Sequence, residues 1–390
     1  MNRLALSVAA LATLACAPAH AALTFLPHMG EYGKAVPGQY AGLALYHADY
    51  NSYYGRDEAE FTQSDGGAGI NSVFIASAWV GNLFRDTDIP LLSSRTQICA
   101  LGFPVAQVQA RGSIRTTAEA IGVSSGKNGI GDVIGSCTIQ DVTRVLGPAR
   151  GHVQFTGLVK FPIGDYDPNA LYNFATNYWT YVPQLSLHAD ITKLVVDATV
   201  AYQFNGNNDD PFARGDVPTR PADWENAAIN LGWKLSYRWW IDVGFAYNKT
   251  NGVKYYDKFH VQPAHQSVLF SAVCGGFPSL CNATGTGYIE TRQGPYEDGG
   301  MMSQVVSASV YYTYRSSLIV NFRVAEAIAG RGSQFTAYYD VCTQTPCDQN
   351  APSKLPNSPF SFTAIGVGES ASVVSQPFYE LRFIFPLAAF

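Results

Sequence analysis

Residues 151–205 read GHVQFTGLVKFPIGDYDPNALYNFATNYWTYVPQLSLHADITKLVVDATVAYQFN. Three segments of this stretch, each about ten residues long, alternate apolar and polar side chains as strands do. In the last, Leu194, Val196, Ala198, Val200, Tyr202 and Phe204 share one parity, while Asp197, Thr199, Gln203 and Asn205 lie on the other. Side chains of a strand alternate between two faces, so one face is wholly apolar and the other polar. The segment before it sets Tyr181, Leu185, Leu187 and Ala189 against Gln184, Ser186, His188 and Asp190. A few residues, Asp190 to Lys193, join these two as a hairpin. The earlier join, Ile163 to Tyr178, is long and rich in Gly, Asp, Asn and Tyr. Strands of bilayer-spanning length, joined alternately by short and long connections, are the pattern of an outer-membrane β-barrel.

The start of the chain agrees with export. Met1-Asn2-Arg3 precedes an apolar run, Leu4 to Ala15, and Ala19-His20-Ala21 offers small residues for cleavage. Residues 1–21 are thus expected to be a signal peptide, and 22–390 one barrel domain. A lipoprotein cut at Cys16 competes with this, but Thr13-Leu14-Ala15 matches a lipobox poorly. The formal charge is −5, one more negative once Arg3 leaves with the signal, which argues against a nucleic-acid partner. Only 14% of residues are charged and 13% are aromatic. A globular domain averages about 25% charged, so the balance favours a bilayer belt with aromatic interfaces. The competing architecture is a secreted β-sandwich, which seldom shows this asymmetry of loop lengths. The expected location is the outer membrane of a Gram-negative bacterium.

The remaining strands are read the same way. The first four are expected near residues 40–48, 71–81, 96–111 and 131–142, with a Ser/Gly/Lys loop over 112–129. Five to seven lie in the opening stretch. Strand eight carries Ala227, Ile229, Leu231, Trp233, Leu235 and Tyr237 on one parity and turns at Arg238. Strand nine covers 241–248, ten 306–314, eleven 318–324 and twelve 379–385. This makes an all-β, antiparallel transmembrane barrel of about twelve strands, with a range of about ten to fourteen, short periplasmic turns and long external loops. The last residue, Phe390, is the terminal aromatic that outer-membrane assembly machinery reads, although Pro386 interrupts the register before it.

Seven cysteines are present, one of them Cys16 in the predicted signal. In an exported chain the close pairs Cys274/Cys281 and Cys342/Cys347, each within one long loop, favour local disulfides over metal binding. Cys99 and Cys137 fall in predicted strands, and their pairing stays open.

If the apolar parity faces lipid, the polar parity faces the lumen. That assigns Gln107, Gln109, Arg111, Gln154, Lys160, Gln184, His188, Asp197, Gln203, Asn230, Lys234, Arg238, Asp242, Arg323, Glu380 and Arg382 to the interior. Both signs of charge are present, which argues against a strongly ion-selective pore. The opposing expectation is an interior filled by a salt-bridged network. Tyr166, Tyr178 and Trp179, with Tyr50, Tyr53, Tyr54, Tyr172 and Phe174, are loop aromatics suited either to stacking on a solute or to an outer aromatic girdle. Gly164 to Asn169, and Asn205, Asn207 and Asp209, place oxygens at alternate positions as calcium loops do, but Asx turns explain them equally well. No metal, cofactor or catalytic residue is expected. No Ser–His pair sits in a recognisable motif, so a lipid hydrolase is the weakest alternative.

Several motifs resemble those of the outer-membrane family associated with the meta-pathway of phenol degradation. They are Gly129-Ile130-Gly131-Asp132, the run Phe161 to Asp167, Asn177-Tyr178-Trp179 with Pro183, Asn207-Asn208-Asp209, and Glu225-Asn226. The likeness spans roughly residues 70–325, and the long loops at 249–300 and 327–376 depart from the compact pattern. It implies passage of small hydrophobic or aromatic compounds across the outer membrane. Two functional expectations follow. One is a passive or facilitated channel for a small organic solute, embedded in outer-membrane lipid. The other is a closed barrel whose disulfide-braced loops bind a surface partner.

Overall fold

The computed structural model describes residues 37–54, 60–62, 66–82, 86, 95–120, 124–141, 144–170, 172–210, 219–251, 254–255, 260–263, 288–292, 296–297, 300–314, 318–342, 363–371, 373–374 and 376–389. Twelve long strands form the wall: β1 Gly38–Tyr50, β2 Gly66–Gly81, β3 Thr96–Arg111, β4 Val133–Gln140, β5 Ala149–Phe161, β6 Thr180–Ile191, β7 Leu194–Asn205, β8 Trp224–Lys234, β9 Trp239–Thr250, β10 Met302–Tyr314, β11 Leu318–Arg331 and β12 Phe378–Ala389. Each pairs antiparallel with its sequence neighbour, and β12 pairs with β1, so the sheet closes. Closure matters in lipid because it pairs backbone groups that an open edge would leave bare. Among the described residues no helix is long and apolar enough to cross a membrane, so the strands do the crossing.

Alternation sets the two faces. Leu45, Ile75, Leu101, Phe155, Leu187, Ile229, Val243, Val310 and Phe322 are exposed on the outer face. In water such a surface would aggregate; in a bilayer it is the belt that holds the barrel in place. Aromatics flank the belt at both ends. Phe161 meets Trp179 edge-on at 5.1 Å and Tyr181 stacks on Phe204 at 6.4 Å near the external end. Near the periplasmic end Trp239 packs on Tyr312 at 4.7 Å. This is an outer-membrane barrel with the aromatic girdles its sequence predicts.

The β6–β7 connection is a two-residue turn at Thr192-Lys193, tighter than the predicted join. Thr192 has φ 56°, a left-handed conformation that costs a β-branched residue energy and that this turn type demands. β3 spans the predicted residues, and β12 runs through Pro386 with one extra residue, Leu387, bulged out of its pairing with Gln39 and Tyr40 of β1.

Several expectations change. Residues 112–120, expected as loop, form helix α1 Gly112–Ala120, braced by an Arg115–Glu119 ion pair one turn apart at 2.7 Å. Gln107, Gln109 and Arg111 share a face with Leu101 and Val105, and therefore point outward. They belong to a polar collar above the belt, where His47 bonds Asn71 at 2.7 Å and Arg111 bonds Asp49 at 2.6 Å. β8 ends at Lys234, which leaves Arg238 in the turn to β9, its guanidinium 5.0 Å from the Tyr237 ring. Parts of the long loops carry strands: 260–263, 288–292, 333–342 and 363–371 join in one four-stranded sheet. Cys99 and Cys137 do meet, as a disulfide directly across the β3–β4 ladder. The predicted signal lies outside the described residues, as do Cys274, Cys281 and Cys347. Cys342 ends the strand Ser333–Cys342.

Candidate functional site

The interior has two unlike sides. On β1, β2 and β3 the inward parity is mostly small or apolar: Ala44 and Ala48, then Ala68, Ser72 and Val80, then Ala106, Val108 and Ala110 are buried, with Tyr40 and Tyr46 of β1 on the same face. Their inward neighbours Phe74, Ala76, Ala78, Ile98 and Ala100 keep part of their surface open, as do Ser136, Thr138, Thr156, Leu158 and Gln184 on β4 to β6. From β5 round to β12 the inward parity carries most of the polar groups and is mostly buried, with an apolar patch of Ala228, Ala246, Val305, Ala325 and Ala327 among them.

That polar side is hydrogen-bonded across strands. Gln140 and Gln154 approach His152 Nε2 at 2.8 and 3.1 Å. The His152 and His188 rings lie 5.0 Å apart, and His188 Nδ1 is 2.6 Å from Asp197 Oδ1. Thr199 donates to Ser186 at 3.1 Å, and Gln184 to the same hydroxyl at 2.9 Å. Farther round, Arg323 stands opposite Glu380 on one side and Ser309 on the other, with its Nε donating to Ser309 at 3.4 Å. At the periplasmic rim Lys234 bonds Asp190. Burying charge is costly unless partners are close, and here opposite charges face each other in adjacent strands.

The extracellular half of the wall between β3 and β5 is built differently. Pairing of β4 with β3 stops at Gly102–Ile134. Above it, residues 124–131 run beside β3 with irregular bonds: Ala110 donates to Ser125 at 3.0 Å and Gly131 to Pro104 at 2.8 Å. The Pro104 carbonyl faces this segment, so its missing N–H is missing where no regular ladder needs it. Two carboxylates lock the segment to loop 162–179 reciprocally. Asp165 accepts the Ile130 N–H at 2.8 Å, while Asp132 accepts those of Gly164 at 3.3 Å and Thr176 at 2.9 Å. Gly164 is required here, since a Cβ would lie 2.5 Å from the carbonyl carbon of Gly131. Lys160 completes the lock, donating to Thr176 Oγ1 at 2.6 Å, with its Nζ 3.9 Å from Asp132 and 4.4 Å from the centre of the Tyr178 ring. Burial, and then the charge of Asp132, push the Tyr178 phenol well above its ordinary value, so it stays protonated.

The sequence-predicted residues therefore divide. Gln154, His188, Asp197, Asn230, Asp242, Arg323 and Glu380 face inward and are buried in the network; Lys160, Gln184, Gln203, Lys234 and Arg382 face inward and are partly open. Tyr178 is buried beneath Lys160, Tyr166 is half-buried, and Trp179 is 56% exposed on the outer girdle. Asp167 forms the Asx turn expected of the acidic loop, its Oδ1 accepting the Asn169 N–H at 2.9 Å. Sequence reasoning missed Asp132 and Thr176, and it missed the apolar inner side. The signal for Asp132 was its place at the end of Gly129-Ile130-Gly131-Asp132.

No curated protein sequence matches the chain. Among solved structures, it is similar to the COG4313 outer membrane channel from Pseudomonas putida F1, at 12% identity and a TM-score of 0.58, covering 92% of this chain and 99% of that one. The Pseudomonas putida toluene transporter TodX aligns at 9% identity and a TM-score of 0.36, over 94% of this chain and 93% of TodX. The model of the family described as "Putative MetA-pathway of phenol degradation" matches residues 60–266, just over half of the chain and including the locked wall segment, and the chain belongs to that family.

Proposed function

We propose that this barrel is a passive channel for small hydrophobic or aromatic organic molecules. The observation that carries the reading is the two-sided interior. A solute following β1 to β5 meets Phe74, Ala76, Ala78, Ile98 and Ala100, with the hydroxyls of Ser136, Thr138 and Thr156 within the same open strip. Such a lining favours molecules with an apolar body and one polar group, as ligand sites with few convergent polar groups do. Charged groups are mostly held by one another on the opposite side, so an ion gains little there. The family description and the name of the Pseudomonas putida channel agree with this reading.

The test is passage of solutes into proteoliposomes carrying the refolded barrel, with small neutral aromatics paired against sugars of similar size. Aromatics are expected to pass at least about ten times faster, the effect of about 1.4 kcal/mol of preference. Equal rates would describe a general pore and sink the apolar-strip reading. A closed barrel that acts through its external loops is the second reading, favoured by the burial of Arg323, Asn230 and Asn321 at 1% exposure or less. Passage no faster than through empty vesicles, from protein shown to be folded, would select it.

A further inference from the structure

We propose that His152 and His188 form an exchangeable binding site for a divalent transition-metal ion inside the barrel. The two residues are directly opposed in the β5–β6 ladder, and both side chains point inward. Directly opposed residues on one face bring their Cβ atoms to about 4.5–5.5 Å, close enough for two imidazoles to share an ion. At metal–nitrogen distances of about 2.0–2.1 Å and a near-tetrahedral angle, the two ring centres lie about 5 Å apart. Here they are separated by 5.0 Å.

The neighbours of the pair suit metal binding in a second, independent way. Asp197, 1% exposed, holds His188 Nδ1 at 2.6 Å. A carboxylate on one ring nitrogen keeps the proton there and directs the lone pair of the other outward, the arrangement that supports histidine ligands in many metal sites. On the other ring, His152 Nε2 faces two side-chain amides, Gln140 and Gln154, at 2.8 and 3.1 Å. With their nitrogens toward the ring, both amides donate to the single lone pair of Nε2, so an ion binding there displaces them. An amide turned over presents an oxygen as a third ligand. Imidazole nitrogen with neutral oxygen suits Cu²⁺, Zn²⁺ and Ni²⁺ rather than Ca²⁺ or Mg²⁺. Two histidines are fewer ligands than a structural zinc site uses, so the ion exchanges and is not needed for folding.

The site does not rest on the channel reading, and its test does not read transport. The full-length folded barrel would be titrated with Cu²⁺ alone, following affinity by calorimetry and ligand identity by electron paramagnetic resonance. One ion per barrel is expected, with hyperfine structure from two imidazole nitrogens. His152→Gln and His188→Gln should each raise the Kd at least about tenfold and leave one nitrogen. Asp197 is a positioning residue: Asp197→Asn should weaken binding about 10- to 100-fold and keep the two-nitrogen spectrum. His47→Gln, on the exposed collar, should change neither readout. If the histidine variants fail to fold, the wild-type spectrum alone decides, because fewer than two imidazole nitrogens overturns the proposal. Unchanged affinity in the folded double variant overturns it equally.

Discussion

The two sides of the interior are made by the same rule and reach opposite results. On β6 to β12 the outward parity is apolar and the inward parity carries most of the polar groups, close enough to bond across strands around an apolar patch of Ala228, Ala246, Val305, Ala325 and Ala327. On β1 to β3 the inward parity is mostly small or apolar, Tyr40 and Tyr46 apart, and keeps part of its surface open. The polar side is specified by hydrogen bonds, which fail sharply when one partner is lost. The apolar side is specified by side-chain size, which changes by degrees. In a barrel that needs both a rigid wall and a route, this division gives each to a different arc of the sheet.

The sharpest way to break the comparison is to remove one buried charge from the polar side. Arg323→Met leaves Glu380 and Asp242 facing an apolar side chain, and loss of one partner from a buried pair costs about 3–5 kcal/mol. Denaturant unfolding of the barrel in phospholipid would measure it. Replacing both partners, Arg323→Met with Glu380→Leu, should recover most of that loss, since well-packed apolar substitutes for an ion pair are often neutral. A double variant no better than the single would make Asp242, not Glu380, the group that Arg323 neutralises. Volume-conserving changes on the apolar side, such as Ala100→Ser, should stay within about 1 kcal/mol.

How much of this was legible depends on contrast between parities. Where β7 sets Val196, Ala198 and Val200 against Asp197 and Thr199, one glance assigns both faces, and the structure buries Asp197 and Thr199 on the inner one. β3 has no such contrast. Ile98, Ala100, Ala106 and Val108 alternate with Cys99, Leu101, Phe103 and Val105, so its polar end, Gln107 to Arg111, looked lumenal. Those residues lie above the belt, where outward polar groups carry no penalty, and only the cross-strand register with Asn71 and His47 reveals their face. Register also decides the Cys99–Cys137 bond, which strand periodicity does not encode. The family motifs were visible as motifs. Their physical role, a reciprocal lock by Asp132 and Asp165 between residues separated by 30 or more positions in the chain, needed the fold.

Sharpening the apolar side requires a change that function reports and stability barely does. Ala78→Asp places a carboxylate on the inward face of β2, among Ala76, Ala100 and Tyr40. Partial exposure keeps the new group hydrated, so the barrel should fold with a loss of about 1–2 kcal/mol. Passage of neutral aromatics should fall at least about tenfold while that of sugars changes less, because the carboxylate interrupts the apolar strip and not the bore as a whole. An equal fall for both solutes would mean that the side chain narrows the lumen, and that the chemistry of the strip is not what selects.

The smallest effect belongs to Trp179, and it separates girdle from binding site. Its indole is exposed on the outer face and meets Phe161 edge-on at 5.1 Å, so its natural solvent is the headgroup region. An aromatic pair of this kind contributes about 0.5–1.5 kcal/mol beyond simple burial. Trp179→Ala should therefore lower stability in phospholipid by about 1 kcal/mol and leave solute passage unchanged. A drop in aromatic passage without loss of stability would mean that solutes touch the outside of the wall beside the locked loop before they reach the interior. In that case the apolar side would begin at the membrane surface, and the boundary between the two regions would have to be redrawn around loop 162–179.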